Sequence, residues 1–334
     1  MPESAPPRPG VAAAAPRIWE IVEPWTRLNA VTHKDADGDT LGSALGLALA
    51  LRAAGKEVAV VSSPPVPRAW EFLPGFELVN RDPPSEKSPV FILDSTDETR
   101  AGEHLDLVRR APAVINIDHH VSNTQFGQVN LVDPEAAATG ELVYELLKAW
   151  DLPIPADAAG CLYAAILSDT GGFRHDNTSE HALRSAAELV GRGADPVAIA
   201  RGLFKSRPAS TLRMQGRILH GLHFECGDRL VWGSITKEVL EEVGASADQA
   251  DGAIDQLNTV AGQEIAILFK EAGPRLTKVS IRTRDRVDAA ALAAGFGGGG
   301  HRRASGIEMR LPLHEAEQAV LEAARDWIEG CTGS

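Results

Sequence analysis

The feature that most constrains the fold of this chain is a pattern in its first half, where apolar segments end directly in acidic or histidine side chains. Three predicted strands end in this way: Leu28–Thr32 before His33-Lys-Asp-Ala-Asp-Gly-Asp39, Val90–Leu93 before Asp94, and Ala113–Ile117 before Asp118-His119-His120. In an open α/β sheet the carboxyl ends of the strands share one crevice, so these side chains are predicted to converge. Because helical segments alternate with the strands, we predict a mostly parallel sheet with right-handed crossovers.

The other predicted helices and strands indicate an α/β chain with two parts. The first part adds the strand Glu57–Ser62 and helices at Ile18–Leu28, Leu41–Ala54, about 137–150 and about 156–168. The segment from Ala186 to Leu222 is predicted to be helical. The second part has strands at Leu230–Ile235, Glu264–Phe269 and Thr277–Arg282, with helices near 247–261, 287–294 and 314–328. We therefore predict a disordered lead-in at 1–17, a first domain at 18–185, a helical linker at 186–224 and a smaller domain at 225–330.

Composition limits the kind of partner that this chain can have. A length of 334 residues favours two domains, and a formal net charge of −13 argues against binding to long duplex nucleic acid, which depends on many basic contacts to phosphates. A short anionic ligand remains compatible. Three cysteines without a C-x-x-C spacing argue against a disulfide framework or a thiolate zinc site. Met1–Pro16 lacks a signal-peptide pattern, and no window has the ~18 apolar residues of a spanning helix, so we expect a cytoplasmic protein without membrane association.

The acidic cluster between His33 and Asp39 has two interpretations. A solvated Asp-rich turn is the ordinary one. An EF-hand loop fits poorly, since the sixth and twelfth positions counted from Asp35 lack the Gly and Glu that it needs. A metal site is favoured because Asp and His recur at the other strand ends, and because the predicted helix 156–168 leads into Asp169. For His175 the sequence leaves two readings open, a solvated loop and the border of the site.

The second part contains a glycine run, Gly295-Phe-Gly-Gly-Gly-Gly-His-Arg-Arg-Ala-Ser-Gly306. A flexible linker is disfavoured because helix and strand patterns flank the run. A dinucleotide-binding fingerprint needs a preceding strand, and a P-loop needs a Gly-Lys-Ser/Thr ending. We favour an anion cradle, in which exposed backbone N–H groups lie beside His301, Arg302, Arg303 and Ser305.

Together these motifs resemble the DHH phosphoesterase superfamily. The His33-x-x-x-Asp37-x-Asp39 cluster, Asp94, Asp118-His119-His120 and Asp169 resemble its four motifs in order, and Gly297–Gly306 resembles the motif of its accessory DHHA1 domain. The resemblance implies a Rossmann-like DHH domain, a smaller α/β DHHA1 domain and an active-site cleft between them. The short chain resembles the nanoRNase and pAp-phosphatase branch, whose members hydrolyse short single-stranded RNA, dinucleotides and 3′-phosphoadenosine 5′-phosphate (pAp).

The resemblance also implies a role for each motif residue. It implies two divalent metal ions, Mn²⁺ with Mg²⁺ as the alternative, and assigns His33 and Asp37 to the first ion, Asp39, His119 and Asp169 to the second, and Asp94 as the bridge. His120 would face the scissile phosphate, and Asp118 would orient a ligand imidazole. In the second domain the residues that would grip the distal phosphate or nucleoside are Gly299, Gly300, His301, Arg303 and Ser305, with Arg282 and Arg284 opposite.

The chemistry of the donor set agrees with that assignment. Four carboxylates offset the charge of two divalent ions, and ions ~3.5–4 Å apart share a water that yields hydroxide near neutral pH for in-line attack on phosphorus. Oxygen and imidazole ligands favour Mn²⁺ over Ca²⁺.

Several other functions share parts of this pattern. A family II inorganic pyrophosphatase has similar metal motifs but a different second domain. A hydrolase of cyclic di-AMP or the linear dinucleotide pApA shares both domains, although the best-known ones carry membrane and sensor segments. A RecJ-type exonuclease adds a barrel for which this chain has no room, and the intact ligand set disfavours a non-catalytic regulator. The sequence leaves substrate preference open, and also whether the linker helices form a hinge or the surface of a homodimer.

Overall fold

The structure is a computed structural model that describes residues 7–206, 208–284 and 286–330. The chain divides into two compact units, Met1–Ser206 and Arg207–Ser334, and each unit has its own sheet. None of the described helices combines the length and the apolar character that crossing a bilayer requires.

The sheet of the first unit is parallel throughout. Within the described residues its order is β2-β1-β3-β4-β5. The strands are β1 Arg27–Val31, β2 Glu57–Val61, β3 Val90–Leu93, β4 Val114–Asp118 and β5 Val129–Val132. The four predicted strands are buried at nearly every position, as expected when helices cover both faces of a parallel sheet. The predicted α/β architecture is confirmed, and β5 is an addition to it.

The packing of three helices brings the functional elements to one edge of this sheet. The helices of the first unit are α1 Pro9–Val22, α2 Gly38–Ala53, α3 Leu105–Arg110, α4 Thr139–Ala149, α5 Ala156–Asp169, α6 Glu180–Gly191 and α7 Pro196–Lys205. Helix α2 is buried along almost its whole length and packs against α4 and α5. A Cβ added to Gly42 would lie 2.6 Å from the carbonyl oxygen of Cys161, so a glycine is needed for α2 and α5 to lie this close.

The start of the first unit differs from the prediction. A disordered lead-in was expected at 1–17, with a helix from Ile18, but α1 begins at Pro9. The helix forms because Val11, Ala15 and Ile18 bury one face of it in the core of the unit. The Pro- and Ala-rich composition suggested disorder and concealed this apolar face. Residues 1–6 lie outside the described residues.

The predicted linker is not a separate element of the structure. Its range, 186–224, contains the end of α6, all of α7 and a helix of the second unit, α8 Ala209–His220. Helices α6 and α7 pack on α5 in the first unit, whereas α8 packs on the next helix of the second unit, α9 Lys237–Val243. The boundary between the units follows Ser206, which places it inside the range predicted to be the linker.

The second unit has a mixed sheet with helices on both faces. Its described strands are β6 His223–Glu225, β7 Leu230–Ile235, β8 Ile265–Gly273, β9 Leu276–Thr283, β10 Gly299–His301 and β11 Ala304–Met309, in the order β10-β11-β9-β8-β7-β6. The remaining helices are α10 Ile254–Leu257, α11 Ala289–Ala294 and α12 Leu313–Gly330. Strands β7 and β8 are parallel, and the other pairs are antiparallel. The predicted smaller α/β domain is thus confirmed.

The glycine run forms part of a β-hairpin. Gly299 pairs with Gly306, and Gly300 pairs with Ser305, in the antiparallel ladder of β10 and β11. Gly300 has a φ of 144°, and a Cβ there would lie 2.5 Å from the carbonyl oxygen of Ala304. A side chain would therefore break the hairpin at this point. The run is ordered secondary structure, which supports the choice against a flexible linker.

We predict that Gly42→Ala destabilises the first unit. The added methyl group must displace the backbone of α5, at a cost of about 1–3 kcal/mol that exceeds the gain in helix propensity of up to about 1 kcal/mol. Calorimetric unfolding of the variant should show a lower midpoint. Gly191→Ala, at the end of α6 where a Cβ meets nothing within 4 Å, is the control and should not lower the midpoint. Equal midpoints for the two variants would contradict the packing constraint at Gly42.

Candidate metal centre

The side chains that follow β1, β3 and β4 lie together at the carboxyl edge of the first sheet. His33 follows β1, Asp94 follows β3, and His119 follows β4. The N-terminus of α2 adds Asp37, which caps the helix by accepting from the backbone N–H groups of Asp39 and Thr40 at 3.1 Å. The C-terminal residue of α5 is Asp169.

The first cluster consists of His33, Asp37 and Asp94. The Nε2 atom of His33 lies 3.7 Å from Oδ1 of Asp37 and 3.4 Å from Oδ2 of Asp94. One ligand atom of each residue lies within 4.8 Å of the others, so the three groups can hold one metal ion.

The second cluster consists of Asp39, His119 and Asp169, and Asp94 borders it as well. The Nε2 atom of His119 lies 3.7 Å from Oδ2 of Asp39 and 3.3 Å from Oδ2 of Asp169. It also lies 3.6 Å from Oδ1 of Asp94, whose other oxygen faces His33. The carboxylate of Asp94 therefore offers one oxygen to each cluster, the arrangement that a ligand shared by two ions requires.

Backbone carbonyl groups orient both imidazoles. The Nδ1–H group of His33 donates to the carbonyl oxygen of Lys34 at 2.6 Å, and that of His119 donates to the carbonyl oxygen of Ala136 at 3.2 Å. Because a carbonyl oxygen can only accept, Nδ1 of each ring carries a proton, so the neutral form of each ring has its lone pair on Nε2. This is the tautomer that a metal ligand needs, with the outer hydrogen bond that holds such rings in place.

The first turn of α4 holds two of the carboxylates. Asp39 accepts from the backbone N–H groups of Thr139 at 2.7 Å and Gly140 at 2.9 Å, and from the hydroxyl group of Ser43 at 3.0 Å. The hydroxyl group of Thr139 donates to Oδ1 of Asp94 at 3.0 Å. A helix N-terminus favours nearby negative charge, so this turn supports the ionised forms of both side chains.

The electrostatics of the site fit bound cations. Asp39 is 0% exposed and Asp94 is 3% exposed, and within the described residues the ion-pair partners of Asp39, Asp94 and Asp169 are all histidines. Burial, followed by the charge of Asp94, raises the pKa of Asp39 to about 7. Burial and then the charge of Asp39 raise the pKa of Asp169 well above its ordinary value. Divalent cations among these oxygens would offset both the cost of burial and the repulsion that raise these pKa values.

The backbone at Asp94 is also unusual. Its φ is 58°, in the left-handed region that non-glycine residues seldom adopt. Such a conformation costs about 1–2 kcal/mol and persists where the surroundings hold it. Here the backbone N–H group of Asp94 donates to the carbonyl oxygen of Ile117 at 2.9 Å, so β4 holds this residue at the strand end.

Asp118 contacts a different imidazole from the one expected. It was predicted to orient a ligand imidazole, but its Oδ1 atom accepts from Nδ1 of His120 at 2.7 Å, and the backbone N–H groups of His119 and His120 donate to the same atom. Asn123 donates to Oδ2 of Asp118 at 2.6 Å. Burial lowers the pKa of His120, but the hydrogen bond to Asp118 and the charges of Asp94 and Asp118 together outweigh it, so the pKa lies above its ordinary value.

A second group of supporting residues follows α5, and sequence reasoning found only part of it. The Nδ1–H group of His175 donates to the carbonyl oxygen of Asp169 at 3.1 Å, so this histidine borders the site. The side-chain amide of Asn177 donates to the carbonyl oxygens of Ala137 at 2.9 Å and Asp169 at 3.3 Å. Both residues hold the end of α5 in place, and their closeness to Asp169 in the sequence was the available signal.

The predicted substrate residues of the second unit lie at the β9–β11 end of its sheet. Arg282 pairs with Asp255 at 3.2 Å, and Arg284 donates to the carbonyl oxygen of Asn258. Gly299 and Gly300 are in β10, next to β11. Backbone N–H and guanidinium groups are hydrogen-bond donors, which is the chemistry that an anionic ligand would need.

Two further predicted residues make contacts within the second unit. The hydroxyl group of Ser305 is buried and donates to the carbonyl oxygen of Ala289 at 2.7 Å, so it ties β11 to α11. Arg303 donates from Nη1 to the carbonyl oxygen of Val287 at 3.4 Å. The side chain of His301 lies outside what the structure describes.

Comparison with known proteins assigns the chain to a family. The DHH family, N-terminal domain, matches residues 29–166, and the DHHA1 domain matches residues 234–330. The bifunctional oligoribonuclease and PAP phosphatase NrnA of Thermus thermophilus is 37% identical over 94% of this chain and 96% of its own. The Bacillus subtilis protein of the same name is 27% identical over 83% of this chain and 87% of its own. The chain belongs to the DHH/DHHA1 phosphoesterase family, as the motifs predicted.

A solved structure has the same overall fold. The exopolyphosphatase-related protein from Bacteroides fragilis superposes with a TM-score of 0.85 at 25% identity, and the match covers 94% of this chain and 96% of that chain. The relatives and this structure are matched over nearly their whole lengths, so the likeness includes both units.

We predict that Mn²⁺ stabilises the first unit and that Asp169→Asn reduces this effect. An ion that binds only the folded state adds about 2.7 kcal/mol at a concentration 100 times its dissociation constant. The variant lacks a carboxyl group whose raised pKa makes its ionised form unfavourable in the folded protein. Calorimetry with chelator should therefore show a higher midpoint for the variant near pH 7, and a smaller increase on adding Mn²⁺.

The control for this prediction is Asp157→Asn. Asp157 is exposed in the first turn of α5, at the opposite end from Asp169, and its replacement should leave the Mn²⁺-dependent increase unchanged. A full Mn²⁺ effect in Asp169→Asn would contradict the role of that carboxylate.

Proposed function

We propose that this chain is a metal-dependent phosphoesterase that hydrolyses short oligoribonucleotides and dinucleotides to mononucleotides, and pAp to AMP. The observation that carries the proposal is the position of Asp94, which offers one oxygen to each of two Asp/His clusters. Support for the substrates comes from the Thermus thermophilus relative, whose likeness extends over both units.

The chain's own residues would hold two divalent ions. His33 and Asp37 would bind the first ion, Asp39, His119 and Asp169 would bind the second, and Asp94 would bind both. Mn²⁺ is the preferred ion and Mg²⁺ the alternative, because the donors are carboxylate oxygens and imidazole nitrogens. When bound, such ions generate a nucleophile from water near neutral pH and offset the charge of the phosphoryl group.

His120 is assigned to the scissile phosphate. Asp118 holds its ring by the Nδ1–H group, which fixes the orientation of the opposite nitrogen, and the raised pKa favours the imidazolium form. An imidazolium group can stabilise the negative charge that gathers on the phosphoryl oxygens and can give a proton to the leaving oxygen. Asn123 and two backbone N–H groups keep Asp118 in position for this task.

The second unit is assigned to the distal part of the substrate. Gly299 and Gly300 leave the β10 backbone without side chains, and Arg282 and Arg303 supply guanidinium groups near the same end of the sheet. Arg284 and His301 complete the proposed set. Ser305 is proposed to act through the hairpin that its hydroxyl group ties to α11. This set suits the phosphate and nucleoside of a short single-stranded ligand.

The test of the function is a comparison of kcat/KM with Mn²⁺ for four substrates. These are a 5′-phosphorylated diribonucleotide, pAp, cyclic di-AMP and pyrophosphate. Preference for the first two is expected, and Asp94→Asn should abolish turnover of both while the variant stays folded. Preference for cyclic di-AMP or for pyrophosphate would overturn the assignment of substrate but would not contradict the proposed metal site. Asp157→Asn is the control and should retain activity.

We predict that His120→Gln lowers kcat for the diribonucleotide by about 10²–10⁴-fold, the range typical of a lost general acid or charge-stabilising group. Mn²⁺ binding, measured by isothermal titration calorimetry, should stay close to wild type, because the variant keeps all six proposed ligands. A loss of Mn²⁺ affinity in parallel with kcat would instead indicate that His120 is a metal ligand. The distance of 3.6 Å between its Nδ1 atom and Oδ1 of Asp94 also allows that role.

A further inference from the structure

Arg8 lies among three carboxylates of the first unit. It is 7% exposed, and its guanidinium group lies 2.8 Å from Oε1 of Glu141, 3.1 Å from Oδ2 of Asp133 and 3.4 Å from Oε1 of Glu145. Its backbone N–H group also donates to Oε2 of Glu145 at 2.8 Å. Glu141, Glu145 and His181 have the donor atoms of a metal site, but the guanidinium group supplies the positive charge there.

Two of these carboxylates bracket one segment of the chain. Asp133 follows β5, and Glu141 is in the first turn of α4, so we name residues 133–141 the supporting turn. Glu141 is 0% exposed, and its second oxygen accepts from the backbone N–H group of Ala137 at 2.8 Å. The backbone N–H group of Ala136 donates to the carbonyl oxygen of Asp133 at 3.1 Å. Arg8 thus connects both ends of the supporting turn.

The supporting turn is also what holds three of the proposed metal ligands. Ala136 accepts from the imidazole of His119, and Thr139 donates to both Asp39 and Asp94. The Gly140 N–H group donates to Asp39 as well. A displacement of this turn would therefore move the donor atoms of both ion positions together.

We infer that Arg8 is a positioning residue of the metal centre, which keeps the ligands Asp39, Asp94 and His119 in place by clamping the supporting turn through Asp133 and Glu141. The inference rests on the two-ion site of the proposed function. Removing one partner of a buried ion pair leaves the other charge without compensation, so the turn must rearrange when Arg8 is replaced. Replacement of residues that orient metal ligands typically lowers metal affinity by about 10–100-fold.

The test measures Mn²⁺ affinity of the full chain by isothermal titration calorimetry, well below the unfolding temperature. Arg8→Gln is expected to weaken Mn²⁺ binding by about tenfold. The control is Arg52→Gln, which removes a less buried ion pair of the same unit, Arg52 with Asp82 at 2.7 Å. It should lower the unfolding midpoint without changing Mn²⁺ affinity. Wild-type affinity in folded Arg8→Gln would overturn the inference.

Arg8→Lys covers the case in which Arg8→Gln does not fold. A lysine keeps the charge but lacks the planar fork that spans Asp133 and Glu141 at once, so weaker Mn²⁺ binding is still expected. Wild-type affinity in this variant would then overturn the inference.

The double variant Arg8→Gln/Glu141→Gln tests whether Arg8 acts on the metal ligands through Glu141. It should bind Mn²⁺ no more weakly than Arg8→Gln alone, because both changes act on one clamp. If the two substitutions together lowered Mn²⁺ affinity by the product of their separate effects, Arg8 would not act through Glu141. If the wild-type chain binds no Mn²⁺, the proposed metal site itself is wrong. If the wild type binds Mn²⁺ and the Arg8 variant binds it equally well, only the inference about Arg8 is wrong.

Discussion

The constraint on which the first unit depends is the repulsion among carboxylates gathered at one sheet edge. Asp39, Asp94 and Asp169 are brought together around three imidazoles, with no lysine or arginine among their described ion-pair partners. The fold offsets part of this cost with backbone N–H groups and a helix N-terminus directed at Asp39. Burial raises the pKa of Asp94, but the hydrogen bond and charges of the neighbouring histidines outweigh it, so these imidazoles offset a further part. Bound divalent cations would offset the rest, which is why such a site favours metal binding.

Close helix packing makes this concentration of charge geometrically attainable. The charged groups come from the ends of three strands, the start of α2 and the end of α5, and α4 supplies the donors. These helix ends can share one edge only if the helices approach closely. Small residues on α2 permit that approach, and Gly42 does so against the backbone of α5. The chemistry at the edge thus depends on residues within the core that carry no chemical group themselves.

The sequence was sufficient for features with a local signature. Asp94 at a strand end and Asp169 at a helix end were found because an apolar run followed by an acid is visible in a few residues. The supporting turn was not found, because its donors to Asp39 are backbone N–H groups of Thr139 and Gly140, which every residue type except proline has. Arg8 was missed because its partners lie 125 to 137 positions away, and because the Pro- and Ala-rich composition around it is typical of disorder. In each missed case the contact is long-range and leaves no periodic pattern.

The two units place different limits on function. The Asp/His clusters of the first unit suit phosphoester hydrolysis in general, since metal-assisted attack on phosphorus needs little from the rest of the substrate. A pyrophosphatase, a dinucleotide hydrolase and an oligoribonuclease can therefore share such a centre. The preference for one of these substrates must come from groups that contact the substrate away from the reacting phosphorus. Only such groups interact differently with one phosphate ester than with another. In this chain the groups proposed for that task are the backbone of the β10–β11 hairpin, where Gly299 and Gly300 lack side chains, and the neighbouring arginines.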